Sequence, residues 1–135
     1  MAQIAIGIFM ALHGLVHLLY LGQSARLFEL KPGMIWPDGS WAFSKLLGDG
    51  GTRVLASISC TAAAIGFAAG GIGIFAAQAW WRPVVVMAAV LSSALYILFW
   101  DGGTQKPADK GGIALLINLV ILAALLVLHW PSQSF

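Results

Sequence analysis

Outside two short segments, this chain carries a single charged residue, Arg82. The other charges are confined to 22–53 and 101–112, which leaves four long apolar runs, roughly 2–21, 54–75, 83–100 and 113–130. A helix rises about 1.5 Å per residue and needs ~20 apolar residues to cross a ~30 Å hydrocarbon layer; each run is close to that length. Inside lipid every backbone N–H and C=O must be paired within the protein, so only helices and closed barrels span it. The runs are continuously apolar and do not alternate in and out, which disfavours a barrel. The pattern predicts an all-α integral membrane protein, a bundle of four spanning helices.

At 135 residues, 60% hydrophobic and 9% charged, the chain has room for one transmembrane domain over 1–135 and no separate soluble one. The net charge of +2 is small and the basic residues are interspersed with acidic ones, so a nucleic-acid partner has no support. The bilayer itself is the first expected partner. Cys60 is the only cysteine, which excludes an internal disulfide and a zinc site built from several thiolates. The leader Met1-Ala2-Gln3 lacks a positive n-region, so the first run is expected to be a retained helix.

With four spans, both termini and the turn after the second helix share one face, and 22–53 and 101–112 share the other. The second face carries Arg26, Lys31, Lys45, Arg53, Lys106 and Lys110 against Arg82 alone on the first. By the positive-inside rule the N- and C-termini are expected on the non-cytoplasmic side. Trp80, Trp81 and Trp130 then mark the outer interface, and Trp36, Trp41 and Trp100 the inner one.

The cytoplasmic loop 22–53 is long for a connection, and Pro32-Gly33 and Pro37-Asp38-Gly39 punctuate it as turns. Its stretch 40–47 is expected to form a short interfacial helix, capped by Asp38 or Ser40, with Trp41 and Phe43 dipping into lipid. It reads either as an ordered linker held down by its aromatics or as a lid over the mouth of the bundle. The second loop is glycine-rich but lacks the spacing of a phosphate-binding loop.

Within the first run, positions alternating by three and four read Gln3, Ile6, Met10, His13, His17, Tyr20 and Ser24, one seam of a helix. A seam with two imidazoles should face protein, because lipid offers their ring nitrogens no partner. A second stripe, Gly7, Ala11 and Gly14, is small enough for another helix to approach closely. Counted from the cytoplasmic edge, His17 lies roughly 6 Å deep, His13 roughly 12 Å and Asn118 about 8 Å. Ser92, Ser93 and Tyr96 on the third helix fall in the same layer, as do Ser57, Ser59, Cys60 and Thr61 on the second. The expectation is a polar pocket or network in the cytoplasmic half, lined by His13, His17, Tyr20, Asn118, Ser92 and Tyr96, with Asp101 and Asp38 near its mouth.

Two histidines four apart can hold one metal on a helix face, given further ligands from Cys60, Asp101, Asp38 or Asn118. The glutamate of a zinc-hydrolase helix is missing, since the intervening residues are Gly14, Leu15 and Val16. Haem is the other cofactor that histidines suggest. His129 lies about 14 Å further along the membrane normal than His13, so the two cannot share an iron within one subunit. A second axial ligand would come from another chain, Met10 or Met87. The plainer alternative is that His13 and His17 stay neutral, hydrogen-bond to Tyr20, Asn118 and the Ser/Thr cluster, and fix helix register.

The stretch His13-Gly14-Leu15-Val16-His17-Leu18-Leu19, with Trp80-Trp81 opening the third helix and Leu98-Phe99-Trp100-Asp101 closing it, resembles a group of small uncharacterised bacterial membrane proteins with four spans and a His-Gly-Leu-x-His opening. The resemblance covers most of the chain and implies a bacterial inner-membrane location. It highlights His13, His17 and Asp101, and carries over no activity or substrate.

Three functions fit the pattern. The first is a binding or accessory module that holds a small ligand or lipid, or docks as an oligomer or subunit in a larger membrane complex. The second is a membrane redox, metal or haem protein using His13 and His17. The third is a transporter or channel subunit, opposed by the lack of charge within the spans and of an evident inverted repeat. A Ser-His-Asp hydrolase lacks its nucleophile elbow. The residues favour the binding or accessory module, with no catalytic group assigned.

Overall fold

The computed structural model describes residues 1–103 and 111–130. Its helices are α1 (Ala2–Ser24), α2 (Ser44–Phe75), α3 (Trp81–Leu98) and α4 (Gly112–Leu122), the last continuing as a wider π-helical turn, Ala123–Val127. Among the described residues there is no strand. Three helices, α1, α2 and α3, are long and apolar enough to cross a membrane; the fourth, Gly112–Val127 with its π turn, is shorter. It stops before the expected 130 because His129 turns into the left-handed region at φ 50°, and the Trp130 amide returns to the Ala124 carbonyl at 2.8 Å. Lys106, Asp109 and Lys110, on which the expected sidedness partly rests, lie outside the described residues.

The second helix starts earlier than its apolar run. The expected short helix at 40–47 is instead a turn at 41–43 followed by one helical turn that runs straight into α2. The junction is Gly48, at φ 71° and ψ 170°. That conformation costs an L side chain dearly and glycine almost nothing, so the kink falls there and the helix resumes. The stretch 48–51 reads as a break in the sequence, yet only its first glycine breaks anything.

Consecutive helices pack in order, α1 on α2, α2 on α3 and α3 on α4. Small residues let α2 approach on two sides. A Cβ added at Gly70 would stand 2.3 Å from Val85 Cγ2 of α3, and one at Gly71 would stand 3.2 Å from the Gly7 carbonyl of α1. Of the small stripe on α1, Gly7 and Gly14 are buried while Ala11 stays exposed. Close approach of this kind is how helices gain van der Waals contact where lipid removes the hydrophobic drive. The outer faces are apolar and open, as at Leu12, Ile58, Ile65, Met87 and Val120.

Two apolar clusters fill the interior. One gathers Met10, Phe67, Ile74, Trp81, Val85 and Ile121. The other, toward the long loop, gathers Tyr20, Trp36, Cys60, Leu95, Tyr96 and Phe99. Of the six tryptophans expected at the interfaces, Trp36 and Trp81 are core residues, 5% and 1% exposed. Trp81 lies inside because it opens α3 against α2, and Trp36 because the loop folds back over the bundle.

That fold-back is held by polar side chains. Gln23, in the last turn of α1, donates to the carbonyls of Met34 (2.9 Å) and Trp36 (3.3 Å) and accepts from the Leu30 amide (2.9 Å). Ser40 Oγ donates to the Leu98 carbonyl at 2.6 Å and Trp41 Nε1 to the Ile97 carbonyl at 2.7 Å. These are the carbonyls that α3 leaves without intrahelical partners, so the loop caps the helix.

Candidate functional site

The polar layer lies between the two apolar clusters. On α1, His13 and His17 fall between Met10 and Tyr20; on α3, Ser92 falls between Ala89 and Leu95; on α4, Asn118 falls between Ala114 and Ile121. All four polar residues are buried, His13 at 3% exposure and the others at 0%.

Their hydrogen bonds form a closed ring whose direction can be derived. His17 Nδ1 lies 2.9 Å from the His13 carbonyl, an acceptor only, so Nδ1 carries the proton and donates. In a neutral imidazole Nε2 is then an acceptor, and Ser92 Oγ–H donates to it at 2.5 Å. With its proton committed, Ser92 Oγ accepts from Asn118 Nδ2 at 2.7 Å. The amide oxygen therefore faces His13, whose Nε2–H donates to Asn118 Oδ1 at 2.7 Å. The chain returns to the residue whose carbonyl set it. With both imidazoles neutral, one backbone oxygen on α1 thus sets both tautomers and the direction of a ring that links α1, α3 and α4.

The rings are enclosed as well as bonded. Phe67 of α2 packs on both histidines, with centroids 4.7 Å from His13 and 5.2 Å from His17, and Phe9 stacks on His13 at 6.1 Å. Of the residues expected to line a pocket, His13, His17, Ser92 and Asn118 bond to one another.

The other expected residues are placed differently. Tyr20 and Tyr96 sit one layer toward the loop, 5.1 Å apart edge to face, and both stack on Trp36. The Tyr96 ring lies 5.8 Å from His17, but its hydroxyl, though buried, has no hydrogen-bond partner among the described residues. Asp101 is at the exposed end of α3, where Oδ1 accepts from the Gly103 amide at 2.8 Å. Ser57, Ser59 and Thr61 return their hydroxyls to carbonyls one turn back on α2 and do not join the ring. Cys60 is buried and unpaired.

Among the described residues no ligand set for a metal ion is assembled around the two histidines. The Nε2 atoms of both histidines are engaged by Asn118 and Ser92. Among the described residues no group of three or more His, Cys, Asp or Glu is placed to hold an ion. Met87 is 71% exposed on the outer face, and His129 lies beyond the far end of α4.

A second polar constellation, less evident from the sequence, lies in the loop. Arg26 Nη2 pairs with Asp38 Oδ1 at 2.8 Å, and Arg53 grips both oxygens of the same carboxylate, through Nε at 2.7 Å and through Nη2. Burial alone would raise the Asp38 pKa. The hydrogen bond from Arg53 and the two guanidinium charges outweigh it and hold the carboxyl below its ordinary 3.8. Gln23 and Phe67 were not singled out by sequence either, and Trp36 only as an interface marker. Gln23 stands one position off the polar seam, and only the loop folded over it turns it into a buried anchor.

No protein-family model, curated protein or solved structure matches this chain.

Proposed function

We propose that the chain is a four-span accessory module of the bacterial inner membrane, with both termini on the non-cytoplasmic side, that docks onto a larger membrane assembly. The observation that supports this reading is the closed ring. His13, His17, Ser92 and Asn118 bond to one another, so this buried polar layer acts as a lock on helix register. What the bundle offers to the outside is apolar helix faces and a pinned loop. The fourth span is the short one. Its sixteen residues (112–127) rise about 24 Å, a few ångströms less than a ~30 Å hydrocarbon layer, a mismatch that bilayers accommodate by local thinning.

Three measurements test it. Alkaline phosphatase fused after Phe135 should be active in a bacterial host and a fluorescent protein fused there should stay dark; the reverse result removes the fourth span or inverts the topology. The purified chain should carry neither a Soret band nor stoichiometric transition metal. Asn118→Leu should lower its unfolding free energy by about 1–2 kcal/mol, as loss of interhelical hydrogen bonds in a membrane does. A stoichiometric metal or haem lost on replacing both histidines would replace the lock with a redox centre.

A further inference from the structure

Two adjoining depressions run along the α1–α2 surface, of about 420 and 450 Å³, and they share Ser57 and Ile58. The half nearer the bilayer centre is lined by Leu21, Ile58, Ala62 and Ile65, with Thr61 beside them. The half nearer the loop is lined by Ser24, Arg26, Arg53 and Ser57. Among the described residues, the charged ones lining either half are the two arginines. Both bind Asp38, so the trio carries two positive charges against one negative. Asp49, the other acid of this region, does not line the groove; its Oδ1 takes the Gly39 amide at 3.1 Å.

The donors divide between the arginines. Arg26 spends Nη1 on the carbonyls of Gln23 and Trp36, and Nη2 on that of Ile35 and on Asp38. It is a fixed charge. Arg53 commits Nε and Nη2 to Asp38, and its Nη1 has no hydrogen-bond partner among the described residues. The Arg53 side chain is 36% exposed and lines the groove.

Length completes the match. From Arg53 to Ile65 the helix rises about 18 Å, close to the ~15 Å of one leaflet's hydrocarbon. Val54, Ile58 and Ile65, on one face of α2, are 62%, 62% and 64% exposed. A groove one leaflet long, cationic at the interface end and apolar along the rest, has the dimensions and charge order of a single lipid.

We propose that this α1–α2 groove binds one anionic phospholipid, its phosphate on Arg53 Nη1 in the field of Arg26 and one acyl chain laid over Ile58, Ala62 and Ile65. The site is separate from the histidine ring and needs only α1 and α2 in a bilayer, so it stands whatever the number of spans.

Native mass spectrometry of the full chain in detergent, titrated with phosphatidylglycerol or phosphatidylcholine of the same acyl length, tests it. One phosphatidylglycerol should bind in preference to phosphatidylcholine. Arg53→Gln, which can still hydrogen-bond Asp38, should weaken that adduct about five-fold, the worth of one arginine at an anionic surface. Ala62→Phe, at an exposed position, leaves every charge in place and should weaken it by filling the groove. Arg82→Gln, at the opposite end of the bundle, should change nothing. Equal binding of the two lipids would overturn the proposal. So would an Ala62→Phe adduct as strong as the parent's, which means surface ion pairing without a groove. Full competition by inorganic phosphate, or a second copy of the chain in the lipid's place, would overturn it equally.

Discussion

At the start of α1, Gln3 is half-buried and makes one hydrogen bond, to the Ile74 carbonyl at 2.6 Å. At its end, Gln23 is fully buried and makes three, all to the backbone of the loop that follows. The same residue type thus serves two ends built on different principles. Near Gln3 the helices are joined by the short turn 76–80, and contact depends on glycines that bring α2 against its neighbours. Near Gln23 a long loop lies over the bundle and brings backbone amides and carbonyls into a dry place, where each needs a partner. One end is held by shape, and the other by polar side chains spent on main chain.

The largest expected effect breaks the second end. Gln23→Leu leaves the Met34 carbonyl and the Leu30 amide without a partner, while the Trp36 carbonyl keeps Arg26. At about 1–3 kcal/mol for each buried group left unpaired, with some recovered by water at the loop edge, the loss should be about 3 kcal/mol. Reversible unfolding in mixed micelles should register it, and limited proteolysis should now cut within 27–36. Gln3→Leu should cost about 1 kcal/mol or less, since its single bond is partly wet. Equal losses at the two ends would erase the distinction.

The next effect probes the first end. Gly70→Ala drives a methyl group to 2.3 Å from Val85 Cγ2, an overpacking worth about 1–3 kcal/mol. Gly50→Ala, in the same helix near the loop, meets nothing within 4 Å. It should be neutral or stabilising by up to about 1 kcal/mol through helix propensity. If both glycines tolerate alanine alike, shape does not hold the first end.

Parts of this arrangement were legible in the sequence for identifiable reasons. His13 and His17 fall on one seam because helical periodicity is fixed, and counting rise per residue sets Asn118 and Ser92 at matching depth. The direction of the ring was not legible, because it follows from which ring nitrogen of His17 meets the His13 carbonyl. Trp36 reads as an interfacial residue, and it became core only when the loop closed over Tyr20 and Tyr96. Phe67 packs on both histidine rings, and as an ordinary apolar residue it carries no mark in the sequence that would pick it out. The start of α2 was misplaced because helix propensity treats 48–51 as breakers, while only Gly48 takes a positive φ in that stretch.

The smallest expected effect sharpens the comparison by separating charge from hydrogen bonding at the loop end. Asp38 is 15% exposed and its two arginines about a third, so solvent screens the pairs and Asp38→Asn should cost no more than about 1 kcal/mol. The sign of its pH dependence follows from the lowered carboxyl pKa. Above the ordinary value of 3.8 the carboxylate is ionised in both folded and unfolded chains and its contribution is complete. As pH falls below that value the unfolded chain takes up its proton first, and the contribution is lost while the folded group titrates. Amide exchange of Gly39 and its neighbours, compared in the parent and Asp38→Asn chains, should therefore converge as pH drops below 4. The Gln23 contacts carry no charge and should show no such convergence. A parent loop whose protection is flat across that range would mean that Gln23, Ser40 and Trp41 hold it alone, with the Arg26–Asp38–Arg53 trio adding nothing to its stability.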